Sequence, residues 1–149
     1  MANTYTQILY HIVFSTKERT PCVTAPRRND LYAYMWGIVK ELDCHLYRIG
    51  GVDDHVHVLT HLHPKTALST YVEKLKTGST NWVRRECIVA HWPGWQDGYG
   101  AFTLSFKEKD GVIEYIKNQE EHHKSVSFIE EYKQLLTDAG VEFDERYLV

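Results

Sequence analysis

Apolar residues occupy both parities from Tyr5 to Ser15 (YTQILYHIVFS). Ile8, Tyr10, Ile12 and Phe14 take one face and Leu9 and Val13 the other, which predicts a central strand covered on both sides. Lys17–Arg28 is polar and holds Pro21 and Pro26, so it reads as a connection. Leu31, Met35, Ile38 and Leu42 then recur at helical spacing, predicting a helix from about Pro26 to Leu42 with a tolerated proline in its first turn. Cys44–Gly50 reads as a short strand, with Gly50-Gly51 and Asp53-Asp54 marking a turn. Asp54–Leu62 (DHVHVLTHL) alternates strictly. Val56, Val58, Thr60 and Leu62 share one face, and His55, His57, Leu59 and His61 share the other, so the two strands read as a hairpin. A second helix is predicted from about Thr66 to Cys87, with Leu68, Val72, Leu75 and Trp82 on one stripe. His91–Gly100 (HWPGWQDGYG) is a glycine, proline and aromatic loop. Ala101–Phe106 is predicted as a strand with Phe102, Leu104 and Phe106 on one side. Asp110 is a candidate cap for a third helix running to about Lys124. Ser127 with Glu130 three residues later resembles a capping box for a fourth, ending near Gly140.

The predicted order is β-α-β-β-α-β followed by two helices, an α+β, ferredoxin-like pattern: one antiparallel sheet with two helices on one face. No repeat, low-complexity tract or linker interrupts it, so residues 1–149 are expected to form a single domain. The sheet face opposite the two helices must be covered or used.

Composition narrows the classes. Apolar content of 43% with 13% aromatics is too high for a disordered chain. No apolar run reaches the roughly 18 residues that a membrane-spanning helix needs. The opening residues lack the basic start and apolar stretch of a secretion signal. Cys22, Cys44 and Cys87 are odd in number and lie far apart. They read as free thiols, and a cytoplasmic protein is expected. The net charge of −3 argues mildly against a nucleic-acid partner. Its distribution changes that reading. Residues 1–107 carry 12 Lys/Arg against 9 Asp/Glu, and residues 108–149 carry 5 against 11, so the acid surplus lies in the last part of the chain.

His55-Val56-His57 carries the strongest chemical signal. Side chains alternate across a strand, so both imidazoles project from one face while Val56 enters the core. Two neutral imidazoles placed so can converge on one divalent cation. They can equally be solvated strand histidines. Five of the nine histidines lie between His45 and His63, so a zinc site built from that cluster is a further reading. On the third helix, Tyr115 and Gln119 are four apart and stack on one face, with His122 at seven. A helical tyrosine beside Ile113 and Ile116 also fits boundary packing. Together, a phenol and an amide oxygen on one face permit a nucleophile beside a third metal ligand.

Four segments, in order, resemble the single-tyrosine HUH transposases of the IS200/IS605 type and their REP-associated relatives. These are Tyr10–Lys17 (YHIVFSTK), Gly50–Leu59 (GGVDDHVHVL), Trp95–Phe102 (WQDGYGAF) and Tyr115–His123 (YIKNQEEHH). Asp53 stands where the resemblance leads one to expect proline, which changes the turn and no ligand. The resemblance implies cleavage and rejoining of single-stranded DNA at hairpin-marked ends. It puts His55, His57 and Gln119 on Mg²⁺ or Mn²⁺ and makes Tyr115 the nucleophile, giving a 5′-phosphotyrosine and a free 3′-OH without a nucleotide cofactor. It also implies a homodimer in which the tyrosine acts in cis or in trans. Two imidazoles are soft donors for Mg²⁺, which favours Mn²⁺.

Candidate DNA contacts are Lys17 and Arg19 in the first connection, Lys74, Lys76 and Arg84 on the second helix, and Trp95 in the aromatic loop. The cations would neutralise phosphates and the indole would stack on a base. Each can also be a solvated face or core packing. Lys107–Gly111 is a candidate hinge or a plain surface turn. His61 and His63 are expected to be spectators. Glu130, Glu131, Asp138, Glu142, Asp144 and Glu145 are expected to form an acidic tail that faces away from DNA or packs on a partner subunit. Besides the transposase, two readings remain open: a non-transposing descendant that binds hairpin DNA, and a zinc protein using the His45–His63 cluster.

Overall fold

In the computed structural model, which describes residues 3–148, the chain folds as a four-stranded antiparallel sheet with helices on both faces. The strands are β1 (Leu9–Ser15), β2 (His45–Gly51), β3 (His55–His61) and β4 (Gly100–Leu104), in the order β2-β3-β1-β4. That is the ferredoxin-like arrangement expected from the element order. The helices α1 (Ala25–Glu41) and α2 (Leu68–Glu86) cover one face. Ile12, Phe14, Val56, Val58 and Leu62 of the sheet pack there against Leu31, Met35, Val39, Val72 and Leu75. Each such side chain removed from water contributes roughly 1.5–3 kcal/mol, so this layer is the main store of stability.

The opposite face carries Leu9, His11, Val13 and Ser15 of β1 beside His55, His57 and Leu59 of β3. Val13 pairs with His57 and Ser15 with His55. All seven are buried. Their cover is the C-terminal segment: α3 (Lys109–Lys117), α4 (Gln119–His122) and α5 (Phe128–Asp138). The third predicted helix is therefore two helices, interrupted at Asn118 with φ −95° and ψ 17°. Ser127 does cap the last helix, its Oγ accepting from the backbone N–H of Glu130 at 3.2 Å. Gly140, with φ +72°, follows the helix end as expected for a left-handed terminator.

Three local expectations are corrected. Phe106 is not on the last strand. It begins a short 3₁₀ turn and is half exposed, because Ser105 and Glu108 form a capping box that starts helical structure early. Lys107–Gly111 is wound into that turn and the start of α3, so it is no hinge. Gly50 and Gly51 belong to β2 and not to the turn. A Cβ on Gly50 would lie 2.9 Å from the carbonyl oxygen of Ile116, so Gly50 is the point where α3 seats on the sheet. No described helix is long and apolar enough to cross a membrane.

Candidate metal and nucleophile site

The site lies between β3 and the C-terminal cover. Strand alternation turns His55 and His57 to that face, as predicted, and both are almost fully buried. The seating of α3 on β2 brings Tyr115 over the pair, its ring 5.7 Å from the His57 ring. Gln119 is buried at the start of α4, where its Oε1 lies 2.9 Å from His55 Nε2. The sequence-predicted residues Tyr115, Gln119, His55 and His57 are thus brought together within one chain.

Glu131 joins them from α5, and its placement overturns the expectation of a uniformly outward acidic tail. Phe128 anchors α5 by stacking on His55, with ring centroids 4.3 Å apart. Glu131 follows three residues later on the same helical face and points inward at 3% exposure. Its Oε1 lies 3.3 Å from His55 Nε2, 3.0 Å from His57 Nε2 and 3.1 Å from His123 Nε2. Its Oε2 accepts from Gln119 Nε2 at 2.8 Å and from the Tyr115 hydroxyl.

The outer edges of the imidazoles are also held. His55 Nδ1 meets Asp54 Oδ1 at 2.7 Å, His57 Nδ1 meets His11 Nε2 at 2.8 Å, and His123 Nδ1 meets the Val126 carbonyl at 2.6 Å. Each ring is therefore fixed on one nitrogen and presents the other to the centre, which is how metal-ligating histidines are oriented. Ligand atoms of His55, His57, His123 and Glu131 lie within 4.8 Å of one another. This donor set suits a divalent cation.

The electrostatics follow from burial and pairing. Burial opposes a charge on His55, but Asp54 and Glu131 outweigh it and raise the imidazole to about 9. Burial dominates at His57 and pulls it down to about 4. Burial and the neighbouring His57 take His11 to about 3. For Glu131, burial favours the neutral acid, yet hydrogen bonds with His123, His55 and His57 hold the carboxyl well below the carboxylate range. Burial and then the Glu131 carboxylate push the Tyr115 phenol well above its ordinary range. In this arrangement the phenol is protonated.

The candidate DNA contacts separate into two groups. Lys17, Lys74 and Arg84 are exposed. Arg19 is half-buried, and its guanidinium reaches the Leu148 carbonyl at 3.4 Å. Lys76 instead ties down the aromatic loop, donating to the carbonyls of Gln96 at 2.8 Å and Gly98 at 2.6 Å. Trp95 is a packing residue. Its indole N–H donates to Ser79 Oγ at 2.9 Å and its ring meets Phe14 edge-on. Both residues therefore support the loop.

The cluster from His45 to His63 does not assemble. His45 is exposed, and its ring meets Tyr47. His61 Nδ1 accepts from the Ile8 backbone and His63 Nδ1 from the Lys65 backbone, each at 3.1 Å. Neither His61 nor His63 joins the His55–His57 site.

Sequence reasoning missed His11, His123 and Glu131 as members of the site. One signal was present for Glu131: it falls on the Phe128, Tyr132, Leu135 stripe of an amphipathic helix, where a carboxylate needs a partner. His123 carries no such mark.

Comparison with known proteins gives a family and a shared fold. The family described as IS200-like transposases matches residues 4–119. Among solved structures, a Deinococcus radiodurans R1 protein described as a transposase is 23% identical. It matches over 80% of this chain and 96% of that one with a TM-score of 0.61. A REP-associated tyrosine transposase, solved bound to a REP hairpin, is 13% identical over 85% of this chain and 74% of that one, with a TM-score of 0.63. At these identities the two structures show a shared fold. No curated protein matches the chain.

Proposed function

Because this chain belongs to the family of IS200-like transposases, we propose that it cuts and rejoins single-stranded DNA at hairpin-marked ends, with Tyr115 as nucleophile and His55, His57 and Gln119 around a divalent cation, Mg²⁺ or Mn²⁺. The observation that carries the reading is the convergence of the Tyr115 hydroxyl and the His55–His57 pair on one buried carboxylate. That convergence occurs within one chain, which supports action of Tyr115 in cis; a homodimer remains part of the proposal. The structure bound to a REP hairpin supports a hairpin partner by analogy of fold.

Tyr115 Oη, giving up its proton toward Glu131 Oε2, would attack the scissile phosphorus, forming the phenolic O–P bond as the bond from phosphorus to the 3′ oxygen breaks and that oxygen takes up a proton. The products are a 5′-phosphotyrosine and a 3′-OH. The covalent bond keeps the phosphodiester's energy for rejoining, so no nucleotide cofactor is needed. A bound cation supplies Lewis acidity at the phosphate and orients it. His55 and His57 hold their inward nitrogens in place through Asp54 and His11, and Phe128 shields His55 from water.

The test is incubation of the protein with hairpin-bearing single-stranded oligonucleotides and Mn²⁺. A covalent protein–DNA adduct on a denaturing gel is expected, absent in Tyr115→Phe. Persistent hairpin binding with no adduct across several end sequences would overturn the catalytic claim in favour of a hairpin-binding descendant.

A further inference from the structure

The family match ends at Gln119, and the segment beyond it supplies half of the four-residue ligand cluster. Three observations bear on what His123 and Glu131 do there. A carbonyl oxygen has no hydrogen to give, so His123 Nδ1 carries a ring hydrogen toward Val126 and Nε2 is the nitrogen that faces the centre. Asp54 imposes the same orientation on His55. The inward nitrogens of His55, His57 and His123 then meet a single oxygen, Glu131 Oε1, at 3.0–3.3 Å. Four such ligand atoms, all within 4.8 Å of one another, need positive charge among them, and a divalent cation supplies it to all four at once. Lastly, Glu131 is buried, and its ion-pair partners among the described residues are the histidines His55, His57, His122 and His123. No lysine or arginine is in an ion pair with it, so the positive charge that a buried carboxylate needs comes from the histidines or from an ion held among them.

We propose that Glu131 and His123 are ligands of the divalent cation, completing with His55 and His57 a three-imidazole, one-carboxylate site. The inference rests on the reading above that His55 and His57 hold a cation. Such a nitrogen-rich set prefers first-row cations such as Mn²⁺ and Zn²⁺ over Mg²⁺, which seeks oxygen ligands and sheds water reluctantly. Glu131 would also link the ion to the nucleophile, since its second oxygen accepts from Tyr115. Gln119 lies at the same centre, its oxygen 2.9 Å from His55 Nε2 and 3.0 Å from His123 Nε2, so it keeps the place that the proposed function gives it, while its amide nitrogen holds the carboxylate.

Calorimetric titration of the full chain with Mn²⁺, Zn²⁺ and Mg²⁺ tests this, with Glu131→Gln, His123→Gln and His55→Ala beside the natural protein. Glu131→Gln and His123→Gln should each weaken Mn²⁺ by about tenfold or more, with unchanged circular dichroism, and Mg²⁺ should bind the natural protein more weakly than Mn²⁺. Wild-type affinity in both variants with binding lost in His55→Ala would overturn the inference and leave the proposed function standing. Binding unaffected even by His55→Ala would remove the cation from that function and the inference with it. Should either variant fail to fold, X-ray absorption of the Zn²⁺-loaded natural protein decides. Three imidazole scatterers support the proposal, and two overturn it.

Discussion

The Tyr115 hydroxyl donates to Glu131, a carboxylate 16 residues further along the chain on a different helix. The candidate nucleophile is therefore held by the same group that faces the histidines. Two elements, α3 and α5, must dock before the site exists. Removing the hydroxyl leaves Glu131 Oε2 with its Gln119 donor. Tyr115→Phe should thus remain folded and lose about 1.5–3 kcal/mol, the range for a hydrogen bond to a charged group. Urea denaturation of the ion-free protein measures this, and a loss much above that range would mean that Tyr115 is chiefly structural.

Stability of the ion-free protein should peak near pH 6.5. His11 and His57 lie below the ordinary histidine value, at about 3 and 4, so the unfolded chain binds more protons between those values and 6.5. Stability accordingly rises with pH across that window. His55 lies above the ordinary value, at about 9, so its contribution is complete below 6.5 and is lost as pH rises through 9. Melting temperatures across pH 4–10 would trace the peak. A cation competes with the inward proton of His55, so Mn²⁺ loading should flatten the alkaline decline, and an unchanged profile would count against ligation by His55.

Gly50 and Gly37 should respond oppositely to alanine. A Cβ at Gly50 would strike Ile116 at 2.8–2.9 Å, partly against backbone, whereas one at Gly37 in α1 meets nothing within 4 Å. Gly50→Ala should lose about 1–3 kcal/mol through overpacking and displace α3. Gly37→Ala should gain about 0.5–1 kcal/mol from helix propensity. Paired denaturant curves read both, and equal effects would refute the seating role of Gly50.

The basic residues should divide in the same way that the structure divides them. Lys17→Ala, Lys74→Ala and Arg84→Ala are exposed changes expected to shift stability by no more than about 0.5 kcal/mol. Each that contacts a phosphate should lower the salt dependence of single-strand binding by about one unit of slope. Lys76→Met should instead free the loop at Gln96 and Gly98 and lower the melting temperature. Lys76→Met of unchanged stability would return Lys76 to the candidate DNA contacts.

Alternation and helical spacing are local properties, and they were enough to determine the four strands, a four-helix outline within a few residues, the ferredoxin-like order and the shared face of His55 and His57. The spacing of Tyr115 and Gln119 likewise put them on one helical face without knowledge of what that face met. Only the tertiary structure decided which distant groups complete the site. Glu131 looked like one member of a solvated acidic tail because charge counting does not register the direction of a side chain. Phe128 stacking on His55 supplies that direction. The break at Asn118, the packing of Trp95 on Phe14 and the use of Lys76 as a strut depend on contacts between segments far apart in the chain. The net charge of −3 likewise counts Glu131 with the surface acids, although it sits among the histidines.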